Sequence, residues 1–242
     1  ESCLVGSEMC IRDRVLTALE VSCALAGYGH VQLDHVEAAL GTTALRYGRD
    51  DHYDVVSAFI KSMRGSDPDA AVYWLARMLE AGEDARFIAR RMVIFASEDV
   101  GLADSGALQV AVAAAHALEH VGLPEAQLNL SQSAIYLATA PKSNRSALAI
   151  WNARSDVRNG AVGEVPAHLR DSHYQGAEAL GHGAGYDYPH DHASGTVSQQ
   201  YLPDSLQHRR WYEPSVHGDE ASIGKRMSQR SRDADDRSGA PE

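Results

Sequence analysis

HYDVVSAFIKSMRGSDPDAAVYWLARMLEAGED, residues 52–84, decides the fold. Its apolar residues recur at helical spacing: Tyr53, Val56, Phe59, Ile60 and Met63 in the first half, Val72, Leu75, Met78 and Leu79 in the second. Gly65 stops the first helix. The second opens on a clear start signal. Asp67 can cap it, Pro68 suits the first helical position, and Asp69 places a negative charge at the positive end of the helix dipole. Two amphipathic helices joined by a short turn form an antiparallel pair, so the spacing predicts an all-α chain.

Outward from this pair the text remains helical. Downstream, Ile88, Met92 and Phe95 form a stripe behind Asp84 as cap, and Leu108, Val112, Ala115 and Leu118 form another in an alanine-rich segment whose partners must approach closely. Leu128, Leu130, Ala134, Ile135, Leu137 and Ala138 make a segment apolar on most faces, which predicts a central, buried helix ended by Pro141. Leu148, Ile150 and Trp151 mark one more, stopping at Gly160. Upstream, Val15, Leu16, Leu19, Cys23 and Ala26 precede a stop at Gly27, and Leu33, Val36 and Leu40 precede Gly41. Both segments are too short to be stable alone.

After Gly160 glycine, histidine, tyrosine and proline become frequent, and only PAHLRD and HYQGAEALG look helical. This segment is expected to wrap over the bundle, pinned by its tyrosines and Trp211. From Lys225 onward apolar content almost vanishes, which predicts a disordered tail over 225–242.

Composition bounds the function. The 242 residues are 44% hydrophobic and 23% charged, ordinary for a globular protein, and no run of eighteen apolar residues offers a membrane span. A formal net charge of −11 argues against nucleic-acid binding by bulk electrostatics, though a local basic patch is compatible with it. Cys3, Cys10 and Cys23 fit no disulfide framework or paired CxxC zinc site, which points to a reducing compartment, the cytoplasm.

Residues 1–14 read as foreign to the rest. They have neither the basic nor the apolar region of a secretory signal. LVGSEMCIRD, Leu4 to Asp13, resembles the translation of a transposase-type sequencing adapter that ends in its mosaic-end sequence. On that reading Cys23 is the only native thiol, expected as a small core residue, and native sequence preceded Val15.

No GxxxxGK[ST], GxSxG, HExxH or paired CxxC is present in the sequence. YDYPHDH, residues 186–192, offers Asp187, His190, Asp191 and His192 as metal ligands. In an extended stretch His190 and His192 share a face that Asp191 does not, so exposed polar loop residues compete with a metal site there. SEDVG (97–101) ends a helix with Glu98 and Asp99, which oppose the helix dipole. Arg90, Arg91 or a partner chain would have to compensate, and a structural or interface role outweighs acid–base chemistry. In APKSN (140–144), Ser143 or Asn144 is a natural cap, while Lys142 beside a helix start also suits an anion. Arg86, Arg90 and Arg91 lie on one helix, as a solvated face or a contact to DNA phosphate.

The ordered strings, HYDVVSAFIKSMRGSDPDAAVYWLARMLEAGED, FIARRMVIFASEDVG, QVAVAAAHALEHVG, AIYLATAPKSN, VPAHLRDS, GYDYPHDH and QQYLPDSL, resemble the C-terminal region of the replication-associated recombination protein A family. These are bacterial relatives of the Werner-helicase-interacting AAA+ ATPases and similar to clamp-loader subunits. The resemblance runs in order over residues 15–213. It implies an upstream AAA+ module with Walker motifs, ATP and Mg. It also implies a remainder of the helical lid over 15–45, and a multi-helix oligomerisation domain with an irregular wrapping segment over 46–224. VLTALE resembles the start of the lid helix that follows the family's GDAR motif. Here Cys10, Ile11, Arg12 and Asp13 stand in that motif's place, so its arginine is carried over to no residue of this chain.

In the family, ATP binds between subunits, hydrolysis moves the lid, and a C-terminal collar holds four subunits together. The resemblance thereby implies a homotetramer, DNA at replication forks and single-strand-binding protein as partners, and a cytoplasmic, nucleoid-associated site of action. The chain itself is expected to hydrolyse no ATP, to self-associate and to bind DNA weakly. Two readings stand beside this one: a stand-alone helical metalloenzyme using Asp187, His190 and His192, and a protein-binding scaffold without DNA contact.

Overall fold

The computed structural model describes residues 16, 18–27, 29–40 and 49–238. The expected foreign segment 1–14, Val15 and Gly41 lie outside them. Among the described residues the elements are helices and short 3-10 turns, with no strand. Helix α1 covers residues 18–26 and α2 Leu33–Leu40. A bundle follows: α3 Arg49–Arg64, α4 Pro68–Glu80, α5 Ala85–Phe95, α6 Gly106–Val121 and α7 Gln127–Thr139. Helix α8 spans Arg145–Arg158 and α9 Glu220–Ser238. No helix among the described residues is long and apolar enough to cross a membrane.

The start signals act as the sequence predicts. The Asp67 carboxylate accepts the Ala70 N–H at 2.9 Å ahead of Pro68, and the Asp84 carboxylate accepts the Arg86 N–H at 2.9 Å. Each satisfies a donor that the first helical turn leaves without a partner.

Helix α7 is the axis of the core and packs against α3, α4, α5 and α6. Phe59, Met63, Met78, Ile88, Met92, Phe95, Leu130 and Leu137 are fully buried around it. A core of this kind supplies most of a bundle's stability, at about 1.5–3 kcal/mol per fully buried large side chain before entropy is counted.

Several predicted faces are corrected. On α6 the buried stripe is Ala107, Ala111, Ala114 and Leu118, while Leu108 is exposed and Val112 and Ala115 are half-buried. Close approach of α5 and α7 selects the alanines, and the larger residues turn aside. On α7 Leu128 and Ile135 are exposed, so this central helix keeps a solvent face. Tyr53 on α3 and Cys23 on α1 are exposed as well. Helix α8 has no buried residue at all.

The segment from Gly160 folds largely on itself. PAHLRD and HYQGAEALG shrink to single 3-10 turns, Ala167–Leu169 and Glu178–Leu180. The chain crosses itself where the Gly183 N–H meets the Ala167 carbonyl at 2.9 Å and His168 Nε2 meets the Gln200 carbonyl oxygen at 2.7 Å. Tyr174, Tyr186, Tyr188 and Tyr201 are exposed and pin nothing to the bundle. Trp211 does pin, donating from Nε1 to Asp156 on α8 at 2.8 Å. Residues 225–238, expected to be disordered, continue α9. Methionine, glutamine, lysine and arginine lose little side-chain freedom in a helix, so low apolar content alone does not prevent one.

Candidate functional site

The two helix breaks singled out in the sequence, SEDVG and APKSN, lie some forty positions apart and meet in space. Helix α5 does not end in an ordinary cap. It widens into a π-helical turn over Ala96–Val100 and tightens into a 3-10 turn over Gly101–Ala103, a local irregularity that often accompanies functional positions. The Asp99 carbonyl accepts the Ser143 N–H at 2.8 Å. Gly101, at φ +54°, lies so close that a Cβ would stand 2.8 Å from the Ser143 carbonyl oxygen and 2.9 Å from Ser146 Oγ. Only glycine accepts both the conformation and the contact.

Three side chains tie further elements to this point. Arg64, in the last turn of α3, donates to the Asp99 carboxylate from Nε at 2.5 Å and from Nη2 at 3.1 Å. The carboxylate raises the already high pKa of the guanidinium. This two-pronged pair answers the question posed by acids at a helix C-terminus: compensation comes from α3 and not from Arg90 or Arg91. Lys142 donates from Nζ to the carbonyls of Ala138 at 2.9 Å and Ala140 at 2.6 Å, closing the open end of α7, and to Ser66 Oγ at 3.3 Å. Burial lowers the pKa of its ammonium, with Asp99 acting in the opposite direction.

The third is Glu220, first residue of α9 and wholly buried. Its carboxylate accepts the Ser143 hydroxyl at 2.6 Å, the Tyr212 hydroxyl at 3.1 Å and the Ser215 N–H at 2.8 Å. Burial alone would raise its pKa, but the bonds from Ser143, Ser215 and Tyr212 outweigh it and the net direction is down. Burial, with the adjacent carboxylate, pushes the Tyr212 phenol up to about 12. Beside it the Asp219 N–H donates to the Ala103 carbonyl at 2.8 Å, and a Cβ on Gly218 would collide with that oxygen. The N-terminus of α9 is thereby closed onto both breaks. Ser143 does the capping expected of APKSN one step early, its Oγ accepting the Arg145 N–H at 3.3 Å while donating to Glu220.

Chemically, this arrangement locks. Asp99, Glu220 and Lys142 each have their hydrogen-bonding capacity directed at neighbouring elements, and the ends of α3, α5, α7, α8 and α9 are held at one place. Of the sequence candidates, Glu98, Asp99 and Lys142 belong to this junction, Glu98 half-buried beside Arg64. Arg86, Arg90 and Arg91 follow α5 away from it. Arg86 pairs with Glu119 on α6 at 2.8 Å, Arg90 is exposed, and the half-buried Arg91 has an Nε that is buried without a partner.

YDYPHDH is not extended, because Pro189–Asp191 forms a 3-10 turn. His192 Nε2 meets Asp187 Oδ1 at 2.6 Å, while the His190 ring leans on Tyr188 with centroids 5.1 Å apart. Among the described residues no group of three or more His, Cys, Asp or Glu side chains could hold a metal ion. Sequence reasoning passed over Arg64 and Glu220. An arginine next to the Gly65 stop is a readable signal. Glu220 gives none, since its burial depends on a serine 77 positions away.

Comparison with known proteins places this geometry in context. Residues 65–231 match the family described as MgsA AAA+ ATPase C terminal, and residues 11–64 match the AAA C-terminal domain. An AAA domain-containing protein of Mycobacterium tuberculosis is 55% identical over 218 residues, 88% of this chain and 48% of that protein. The replication-associated recombination protein A of Bacillus subtilis is 44% identical over 205 residues, 84% of this chain and 48% of that protein. The ATPase WRNIP1 of Dictyostelium discoideum is 42% identical over 178 residues, 72% of this chain and 20% of that protein. The chain thus spans less than half the length of each.

Proposed function

The chain belongs to the MgsA AAA+ ATPase C-terminal family, and from that premise we propose that it forms the lid end and oligomerisation collar of a DNA-dependent AAA+ ATPase acting at replication forks. Residues 15–45 are the lid remainder and 46–224 the collar. The observation that carries the reading is that α3, which opens the proposed collar, still lies within the range matched to the AAA C-terminal domain and ends where the MgsA match begins. The two matched ranges meet between residues 64 and 65, at the turn where Arg64 reaches Asp99 and Ser66 reaches Lys142. Helix α3 continues directly into that turn and packs on α4 and α7. A lid that moves with the nucleotide state would deliver its motion along α3 into the collar at this junction.

The names of the Bacillus and Dictyostelium relatives support a replication or recombination ATPase. ATP and Mg belong to the upstream module of such a protein, and no residue of this chain is assigned to them. Four copies, forked DNA and single-strand-binding protein are the partners of the whole assembly, in the bacterial cytoplasm at the nucleoid. Arg90, with Arg86 and Arg91 on the same helix, is the phosphate contact, and the acidic surface keeps binding by this chain alone weak.

Light scattering at micromolar concentration tests the collar directly: a four-chain mass is expected, and a strict monomer would overturn it. The chain alone should turn over no ATP. Its weak binding to forked DNA should fall steeply with salt, because phosphate contacts release counterions. A flat salt response would remove DNA from the reading.

A further inference from the structure

The tyrosines of the wrapping segment, which pin nothing to the bundle, are not scattered. Tyr186 and Tyr188 hold their ring centroids 6.5 Å apart, and Tyr188 and His190 hold theirs 5.1 Å apart. The 3-10 turn Pro189–Asp191 sets the second spacing. Gln199 ties another stretch of chain to this ladder. Its Nε2 donates to the Asp187 carbonyl at 2.8 Å and to the Tyr201 hydroxyl at 2.9 Å, while its Oε1 accepts the Asp187 N–H at 3.3 Å. The adjoining Gln200 carbonyl is in turn held by His168. Tyr186, Tyr188 and Tyr201 nevertheless stay 44%, 51% and 52% exposed. A ladder fixed in its backbone and open to solvent is preorganised, with little ordering left for a partner to impose.

The charge around the ladder selects the partner. Between Arg170 and Arg209 the sequence holds no lysine or arginine, yet Asp171, Glu178, Asp187, Asp191 and Asp204 all fall in that stretch. Two of these acids stand on the ladder itself. Asp187, between the two tyrosines, meets His192 through Oδ1 at 2.6 Å, and the exposed Asp191 forms no ion pair among the described residues. Tyrosine faces attract cations, and a guanidinium plane can stack on a ring while it pairs with a carboxylate. A nucleic-acid strand would find rings for its bases but would set its phosphates against Asp187 and Asp191, with no cation of this stretch to hold them. We propose that this face docks an arginine-rich segment of another protein, its guanidinium groups stacked on Tyr186, Tyr188 and Tyr201 and paired with Asp187 and Asp191. An extended segment repeats its side chains on one side every ~6.6 Å, close to the 6.5 Å between the Tyr186 and Tyr188 rings. The cation-rich stretch of this chain fits less well. In α9 Arg226 and Arg230 are followed at helical spacing by Asp233, and Lys225 and Arg232 by Asp236, so each set of cations would bring a carboxylate to the acids of the ladder.

The test is fluorescence polarisation on the full chain at about 0.15 M salt, with a labelled peptide alternating arginine and glycine and its lysine counterpart. The arginine peptide should bind, and the lysine peptide should bind several-fold more weakly, because an ammonium has no plane to stack. Tyr186→Ala and Tyr188→Ala leave the net charge unchanged and should each weaken binding about five-fold, the scale of a lost cation–π contact. Tyr188→Phe keeps the ring and should keep the affinity. Asp191→Arg should weaken binding about ten-fold by reversing the charge beside the ladder. Circular dichroism should stay as it is in every variant, since all these positions are exposed. No binding, equal affinity for the two peptides, or affinity unchanged in the tyrosine-to-alanine variants would overturn the proposal, the last two by reducing it to attraction toward a chain of net charge −11. A synthetic peptide of residues 225–238 that binds more tightly than the arginine peptide, and is lost in the same variants, would give the face to a second copy. An oligothymidylate behaving in that way would give it to nucleic acid, and either result would overturn the proposal equally.

Discussion

Helices α7 and α8 follow one another across the break at Pro141, are 13 and 14 residues long, and both carry leucine, isoleucine and an aromatic ring. Yet α7 buries Leu130, Ser133, Ala134, Leu137 and Ala138, and α8 buries nothing. The difference lies in neighbours and not in composition. Four helices surround α7, whereas α8 leaves the bundle at the junction and rests chiefly on the π-helical and 3-10 turns there. One helix therefore serves stability and the other presents surface. The lock between them, built on Asp99, Lys142, Ser143 and Glu220, is what allows the chain to pass from one role to the other within five residues.

This contrast can be broken at graded strengths. The largest effect is expected inside α7: Leu137→Ala removes a fully buried side chain and should cost about 2–5 kcal/mol in urea unfolding. Next comes the lock. Glu220→Ala leaves the Ser143 hydroxyl, Tyr212 hydroxyl and Ser215 N–H without their buried acceptor and should cost about 1–3 kcal/mol.

The same carboxylate sets a pH dependence. Its folded pKa lies below the ordinary 4.5, so its contribution is fully present above 4.5 and is lost as pH falls through the folded value. Glu220→Gln should remove that part of the acid limb in a urea series taken from pH 6 downward. Tyr212 acts at the other extreme. With its phenol at about 12, its contribution is present below its ordinary 10.0 and lost as pH rises through about 12.

A smaller effect follows at the end of α3. Asp99 is mostly covered and Arg64 half-exposed, so Arg64→Ala should cost about 1 kcal/mol, the range of a partly screened pair. A double-mutant cycle with Asp99→Asn isolates the pairwise share. The smallest belongs to α8, where Trp151→Ala should move the unfolding free energy by no more than about 0.5 kcal/mol. A loss on the scale of Leu137→Ala would mean that α8 belongs to the core after all, and the contrast would fall.

The sequence exposed what depends on neighbours along the chain. The start of α4 at Asp67–Pro68 and its stripe at Leu75 and Met78 were readable because caps and 3.6-residue spacing are local. The register of α6 was not. In an alanine run hydrophobic contrast is low, and the facing helices choose which residues turn inward. Apolar content marks a helical face without saying whether anything covers it, so Leu148, Ile150 and Trp151 announce a helix at α8 but not that Ile150 and Trp151 stay exposed. At the junction, SEDVG and APKSN announced themselves as breaks with charged residues, but their meeting is a long-range fact. Arg64 reaches Asp99 across 35 positions and Ser143 reaches Glu220 across 77. No period or motif carries such pairs.

The burial of Glu220 has a practical consequence for anyone dividing this chain. The portion from Gly160 to Asp219, largely exposed and without a long helix, invites removal as a dispensable appendage. Ending the chain anywhere before Glu220 would strip Ser143 of its acceptor, ending it before Asp219 would also strip Ala103 of the Asp219 N–H, and either would open to water the seam where α5, α7 and α8 converge. The junction is therefore complete only when the chain runs from the end of α3 through the opening turn of α9.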